Sequence, residues 1–247
     1  MYRFFVSEEA FREREVVICG EDVNHIKNVL RMNVGEQITV VCGTGIEYIC
    51  RIEKMQEQEI FLTVLKEQAT TAELPVEITL FQALPKKDKM EFVIQKAVEL
   101  GATRIVPVKA KRCVVKLDEK KEQKKRARWQ TIAEAAAKQS GRGIIPQVEK
   151  CVDFAEALSM TEEYDHSLIP YELCETMTES VQAMKQAIQG KSIGVFIGPE
   201  GGFEKEEIQK AVEHGVVPIS LGSRILRTET AGLTTLSVLM FMIEGKE

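Results

Sequence analysis

Ser192-Ile193-Gly194-Val195-Phe196-Ile197-Gly198-Pro199-Glu200-Gly201-Gly202-Phe203 is the stretch on which the reading of this chain turns. Ile193 to Ile197 is a short apolar run, rich in β-branched and aromatic residues, and reads as a buried strand. It stops at Gly198-Pro199, because proline donates no ladder hydrogen bond and glycine opens backbone angles closed to other residues. From Glu204 the apolar positions take helical spacing, with Ile208, Ala211 and Val212 on one face. The unit is strand, glycine-rich turn, helix. In open α/β sheets, ligands sit beyond the carboxyl ends of strands, where such turns lie. Taken alone, the stretch also describes an ordinary βα turn that uses glycine for tightness.

A second turn narrows the choice. Val216 to Leu221 is another short strand, and it runs into Gly222-Ser223-Arg224-Ile225-Leu226-Arg227-Thr228-Glu229-Thr230-Ala231-Gly232. An apolar helix, Leu233 to Ile243, follows. Neither turn carries the spacing of a Walker or dinucleotide-binding loop. The pair "IGPEGGF…E" and "LGSRILRTETA" resembles the SPOUT superfamily of S-adenosylmethionine-dependent RNA methyltransferases, in particular the RsmE-type 16S rRNA uridine-N3 methyltransferases. Ser223 stands where the related form "LGPRILR" has proline.

Working outward, residues 76 to 247 alternate strand and helix. Val76–Gln82, Arg104–Val108 and Tyr164–Ile169 read as strands. Met90, Val93, Ile94, Ala97 and Val98 stripe a helix ending at Leu100. Leu117–Ser140, Val152–Ser159 and Thr178–Gln189 read as further helices. This order predicts an α/β fold with a mostly parallel sheet. The segment "PKKDKMEFVIQKAVELGATRIVPV" resembles the first βαβ unit of the RsmE methyltransferase domain, with Lys87 where relatives often carry glycine. The stretch from Glu134 to Pro146, "EAAAKQSGRGIIP", resembles that family's "EAxxQSxR…P" motif. Its Ser140-Gly141-Arg142-Gly143 also suits a plain helix-capping turn.

Residues 1–70 read differently, as a small β-rich domain. Arg3–Val6, Glu15–Cys19, Gln37–Cys42, Ile46–Ile52 and Glu59–Leu65 are strands, Gly43-Thr44-Gly45 is a hairpin turn, and Glu21–Leu30 is a short helix. Many short strands predict a small barrel. The segment "HIKNVLRMNVGE" (His25 to Glu36) resembles the PUA-like domain of the same family. Polar Lys66–Leu74, ending before Pro75, reads as the linker, so a second domain spans 74–247.

The formal charge of −5 is set against nucleic acid, yet Arg104 to Arg128 holds eleven Lys or Arg against Asp118, Glu119 and Glu122. Such a stretch suits an anionic partner approached on one face, or a solvated helix face with salt-bridge partners nearby. The six cysteines follow no metal-ligand spacing and read as reduced thiols of a cytoplasmic protein. No apolar run reaches the roughly 18 residues of a membrane span, and no metal site is expected.

The resemblance implies a C-terminal trefoil knot over about residues 165–247. Its loops 169–172, 198–203 and 221–231 would hold S-adenosylmethionine, largely through backbone groups. Ile169, Ile197, Leu221, Ile225 and Leu226 are the candidate apolar walls. Gly198, Gly201, Gly202 and Gly222 are the points of close backbone approach. Arg227 is the candidate for stabilising a uracil oxyanion, with Arg224 as the alternative. Glu200 or Glu229 is the candidate acceptor of the N3 proton, and the residues do not choose between them; turn and helix-start stabilisation are their structural alternatives. Candidate RNA contacts are Arg3, Arg12, Lys27, Arg31, Lys111, Arg112, Arg142 and Arg224. The expected partner is 16S rRNA or the small ribosomal subunit. The apolar last helix needs cover on more than one face, from an identical subunit or from within the monomer; the resemblance implies a homodimer, and Trp129 reads as a packing anchor at a subunit contact. Two alternatives share the scaffold: a noncatalytic RNA-binding or ribosome-assembly protein, and an enzyme modifying another RNA position.

Overall fold

The computed structural model describes residues 2–115, 117–173 and 176–246. The chain forms two compact units, one of residues 1–73 with 137–145 and the other of residues 74–136 with 146–247.

The first unit contains β1 (Arg3–Phe5), β2 (Phe11–Arg12), β3 (Glu15–Cys19), α1 (Glu21–Asn24), β4 (Gln37–Val41), β5 (Ile46–Met55) and β6 (Glu59–Ala69). The α1 helix continues as a π turn over His25–Val29. The sheet order is β1-β4-β5-β6-β3-β2, antiparallel except for β1 beside β4. Where a barrel is expected, strand pairing joins no bond between the two end strands among the described residues. Two register shifts in β5, at Ile49/Cys50 and Ile52/Lys54, bend the long β5–β6 ribbon. The core behind it is Phe4, Val16, Ile18, Ile26, Ile38, Val40, Ile52, Ile60 and Leu62, all buried. Lys66–Ala69 belongs to β6 and pairs with Ile46–Ile49. Polarity there reflects a strand end exposed on both faces, so the expected linker is shortened from its start.

The second unit contains β7 (Glu77–Ala83), α2 (Lys89–Glu99), β8 (Arg104–Lys109), α3 (Glu119–Ser140), β9 (Gln147–Val148), β10 (Val152–Asp153), α4 (Phe154–Ser159), β11 (His166–Pro170), α5 (Met177–Ala187), β12 (Ser192–Ile197), α6 (Lys205–Glu213), β13 (Val216–Ile219) and α7 (Thr228–Glu244). The sheet order is β10-β8-β7-β12-β11-β13, with β9 also on β8 and every pairing parallel. Val152 and Asp153, expected in a helix, instead pair with Val108 and Lys109. Parallel strands covered on both faces need continuous apolar runs, and β12 is buried from Ile193 to Ile197. Phe196 lies opposite Phe81 in register, and the rings stack at 4.2 Å. Phe154 and Phe203 extend the cluster. Such a pair contributes about 0.5–1.5 kcal/mol beyond its buried area.

The last strand in sequence, β13, is at the sheet edge beside β11, yet α7 packs against α2 and β12. Residues 220–227 therefore run back across the strand ends. This return, set by the sheet order, positions the candidate site.

Candidate functional site

Three loops meet at the carboxyl ends of β11, β12 and β13. The amide of Tyr171 donates to the Ile219 carbonyl at 2.9 Å, joining the first loop to the strand that feeds the third. The Glu172 carboxylate lies against Gly202 in the second. Thr228 closes the set: its hydroxyl donates to the Gly198 carbonyl at 2.6 Å and accepts from Gln82 Nε2 at 2.9 Å. Thr228 and Gln82 are buried, so one hydroxyl ties the start of α7 to the ends of β12 and β7. Gly202 and Gly222 have φ of +66° and +100°, a region that L side chains resist. At Gly198 a Cβ would stand 3.1 Å from the Phe203 ring.

The loop after β8 clamps the glycine turn from the other side. Arg112 Nη1 donates to the Gly201 carbonyl at 2.7 Å, and Lys111 Nζ pairs with Glu204 at 2.9 Å. The buried Glu207 accepts the amides of Lys111 and Glu204, both at 2.9 Å. Lys111 and Arg112 are exposed, but each is engaged in holding this loop.

Lys89, which the sequence reading passes over, is the hub of the acidic residues. Its ammonium lies 3.1 Å from Glu229 and 3.6 Å from Glu200. Glu200 also accepts the Lys86 amide at 2.9 Å. Burial raises the Glu200 carboxyl, but the Lys86 and Glu200 amides and the Lys89 charge outweigh it and hold the acid below its usual range. An acid so held is a poor proton acceptor. The two candidate bases thus share one cation and join the turn after β7 to the other loops. The only sequence cue is the position of Lys89 at the start of α2.

That turn contains Lys87 at φ +59°, so it keeps the left-handed shape without glycine. Lys87→Gly is expected to stabilise the protein by about 0.5–1 kcal/mol, the strain of a left-handed L residue less the entropy glycine adds to the unfolded chain. Thermal denaturation of the variant measures this; an unchanged or lower midpoint would refute it.

The other candidates fall into three groups. Arg224 and Arg227 are exposed and form no ion pair among the described residues. Arg227 immediately precedes Thr228 in extended conformation, φ −67° and ψ 154°. Ile169 and Ile197 are fully buried beneath the loops, so there they offer backbone rather than side chain. Ile225 is 92% exposed and is no wall within a single chain, while Leu221 and Leu226 are half-buried. Among the described residues the amides of 223–226 make no backbone hydrogen bond, which leaves them open to a ligand held by main-chain groups.

The first unit divides its candidates likewise. Arg12 and Arg31 are exposed. Lys27 donates to the Gln56 carbonyl at 3.0 Å. Arg3 is paired with Glu47 at 2.7 Å and is largely buried, which removes it as a surface cation. Arg142 is 2% exposed and held by Glu73, so it is a structural residue and not a phosphate contact. In the second unit Trp129, 2% exposed, is anchored within its own chain rather than at a subunit contact.

Burial pushes the thiols of Cys50 and Cys151 up to about 12, far from reactive thiolates. Cys174 lies outside the described residues. Among the described residues there is no cluster of His, Cys, Asp and Glu that would hold a metal ion, and no helix long and apolar enough to cross a membrane.

Comparison with known proteins agrees over the whole length. An RNA methyltransferase domain matches residues 72–240, and an RNA methyltransferase PUA domain matches residues 18–65. The chain is 37% identical to ribosomal RNA small subunit methyltransferase E of Bacillus subtilis, covering 99% of this chain and 98% of that protein. It is 32% identical to the protein of the same name from Aquifex aeolicus, covering 96% and 98%. The crystal structure of a ribosomal RNA small subunit methyltransferase E from Neisseria gonorrhoeae bound to S-adenosyl methionine superposes with a TM-score of 0.85, at 34% identity and 98% coverage of both chains.

Proposed function

The chain belongs to the ribosomal RNA small subunit methyltransferase E family, and on that premise we propose that it methylates N3 of a uridine in 16S rRNA, with S-adenosylmethionine as donor. The N3 position rests on the family resemblance; the observation that supports methyl transfer at this site is the Thr228 bridge, which ties the start of α7, next to Arg227, to the glycine turn at Gly198. The residues present fit the donor. Open amides at 223–226, left-handed Gly202 and Gly222, and half-buried Leu221 and Leu226 suit a ligand held by backbone groups and apolar walls. When bound, S-adenosylmethionine supplies an electrophilic methyl on a sulfonium. The protein aligns the uracil with that methyl, and alignment alone lowers such a barrier by several kcal/mol. Arg227 stabilises the oxyanion form of uracil, in which N3 has given its proton to solvent water and is nucleophilic. Arg224, exposed in the same loop, would contact the RNA. Glu200 and Glu229 hold Lys89 and thereby the loop positions.

The reading includes a trefoil knot over about residues 165–247, supported by the return of residues 220–227 from the sheet edge to α7. It divides the chain near residue 70 into a PUA-like domain that helps hold RNA, with the exposed Arg12 and Arg31 as candidate contacts, and a methyltransferase domain. It includes a homodimer as well. Ile225 is 92% exposed, and Val238 and Phe241 on α7 are 37% and 76% exposed, an apolar face that an identical subunit would cover. The enzyme would act in the cytoplasm on ribosomal RNA.

The test is incubation of the purified protein with methyl-labelled S-adenosylmethionine and small-subunit rRNA, followed by nuclease digestion and mass spectrometry of the nucleosides. Label on a uracil base as 3-methyluridine is the expected result. Label on a ribose would overturn the N3 assignment, and no label on free rRNA or on the assembled subunit would favour a noncatalytic binder.

A further inference from the structure

We infer that the exposed face of the first half of α3, carrying Lys120, Lys121, Lys124 and Arg128, is the track along which the RNA backbone runs up to the methyl-transfer site. This rests on the RNA substrate proposed above. These four side chains are exposed. Lys120 and Lys124 have no ion-pair partner among the described residues, and Lys121 has only the exposed Asp118 at 3.0 Å. The neighbouring cations are turned to structural use: Arg126 donates to the Val148 carbonyl at 3.0 Å, and Lys125 lies over the Trp129 ring at 5.8 Å. Glu122, two residues from both Lys120 and Lys124, projects from another side of the helix and accepts the Cys151 amide at 2.8 Å.

This arrangement is unfavourable for a helix by itself. Lys120/Lys124, Lys121/Lys125 and Lys124/Arg128 are like charges at i,i+4, which repel. Lys120 and Lys121 stand in the first turn, where the helix dipole disfavours cations. At Lys120 and Lys124, which have no ion-pair partner among the described residues, the broken local rule has no compensating acid and marks a functional surface. An RNA strand supplies the compensation, since its phosphates gain from displacing counterions onto lysines. Lysines one turn apart rise about 6 Å along the axis, close to the step between successive phosphates.

The track is tied to α2 at Arg128, and the segment preceding α3 is tied to the glycine turn at Arg112. Arg128 pairs with Glu91 at 2.7 Å, and Glu91 follows by two residues Lys89, the cation shared by Glu200 and Glu229. At the other end, the loop leading into α3 carries Arg112, bonded to Gly201.

The experiment compares wild type with Lys120→Gln/Lys121→Gln/Lys124→Gln for binding to a small-subunit rRNA fragment across a series of KCl concentrations. Affinity should fall and the slope of log K against log salt should flatten by about 2, from roughly 0.7–0.9 per lost phosphate contact. Helix content and S-adenosylmethionine affinity should be unchanged, since the substitutions relieve repulsion and lie outside the loops. A matched variant, Lys185→Gln/Lys191→Gln/Lys210→Gln, removes the same charge elsewhere and should retain the wild-type slope. Wild-type affinity and slope in the α3 variant would overturn the inference, as would an equal loss in the matched variant. A wild-type protein that methylates rRNA while the α3 variant binds normally would sink the track and leave the proposed function intact. Failure of the wild type to bind or methylate rRNA would overturn both.

Discussion

Glu73→Ala is expected to destabilise the protein by about 3–5 kcal/mol, the cost of leaving a buried charge without its counter-ion. Arg142 is 2% exposed, and its guanidinium reaches both Glu73 oxygens, Nε lying 3.2 and 3.1 Å from them. The same carboxylate accepts the amides of Gly143 at 2.8 Å and Ile144 at 3.1 Å. One substitution thus removes the carboxylate from a desolvated cation and from two backbone donors. Glu73→Gln keeps an acceptor and the shape and should cost less. Replacing both partners, as in Glu73→Leu with Arg142→Met, should recover much of the loss, because no charge is then stranded. Urea denaturation of the three variants checks the ordering. A loss below about 1 kcal/mol for Glu73→Ala, a value expected of an exposed pair, would show that Arg142 finds other solvation.

Arg227→Ala is expected to lower the methylation rate at saturating S-adenosylmethionine and RNA by about 10²–10³-fold, as removal of one oxyanion-stabilising donor does elsewhere. Arg227 stands next to the Thr228 bridge but makes no ion pair among the described residues. Its loss should therefore leave folding and cofactor affinity close to wild type, while kcat falls. Arg224→Ala should act mainly on KM for RNA. Calorimetry with S-adenosylmethionine and steady-state kinetics separate the two. If Arg224→Ala lowers kcat by the larger factor, the two roles are exchanged. If neither changes kcat, oxyanion stabilisation lies elsewhere.

The alternation of strand and helix after residue 76 was legible because it is written locally. Val93, Ile94, Ala97 and Val98 fall on one face of α2 because a helix repeats every 3.6 residues, and β12 is apolar from Ile193 to Ile197 because a central parallel strand is covered on both faces. The two glycine turns were visible for the same reason. Errors fell where a local cue has two meanings. Lys66–Ala69 is polar like a linker, yet lies on the solvated part of a strand. Val152 continues a helical pattern, yet is held by β8.

What a charged or apolar side chain is available for was decided only by the tertiary structure. Arg142 and Arg12 look alike in sequence, but Arg142 is enclosed with a carboxylate 69 residues away while Arg12 is exposed. Glu200 and Glu229 read as candidate bases until Lys89, 140 residues from Glu229, is found to hold both. Ile225 reads as a pocket wall and is 92% exposed. The sequence by itself determined the α/β architecture, the positions of the loops and the family, because backbone geometry and side-chain periodicity are short-range. The tertiary structure decided which ions are neutralised, because desolvation and ion pairing depend on groups that the fold alone brings within about 4 Å, where charges interact strongly in a partly buried setting.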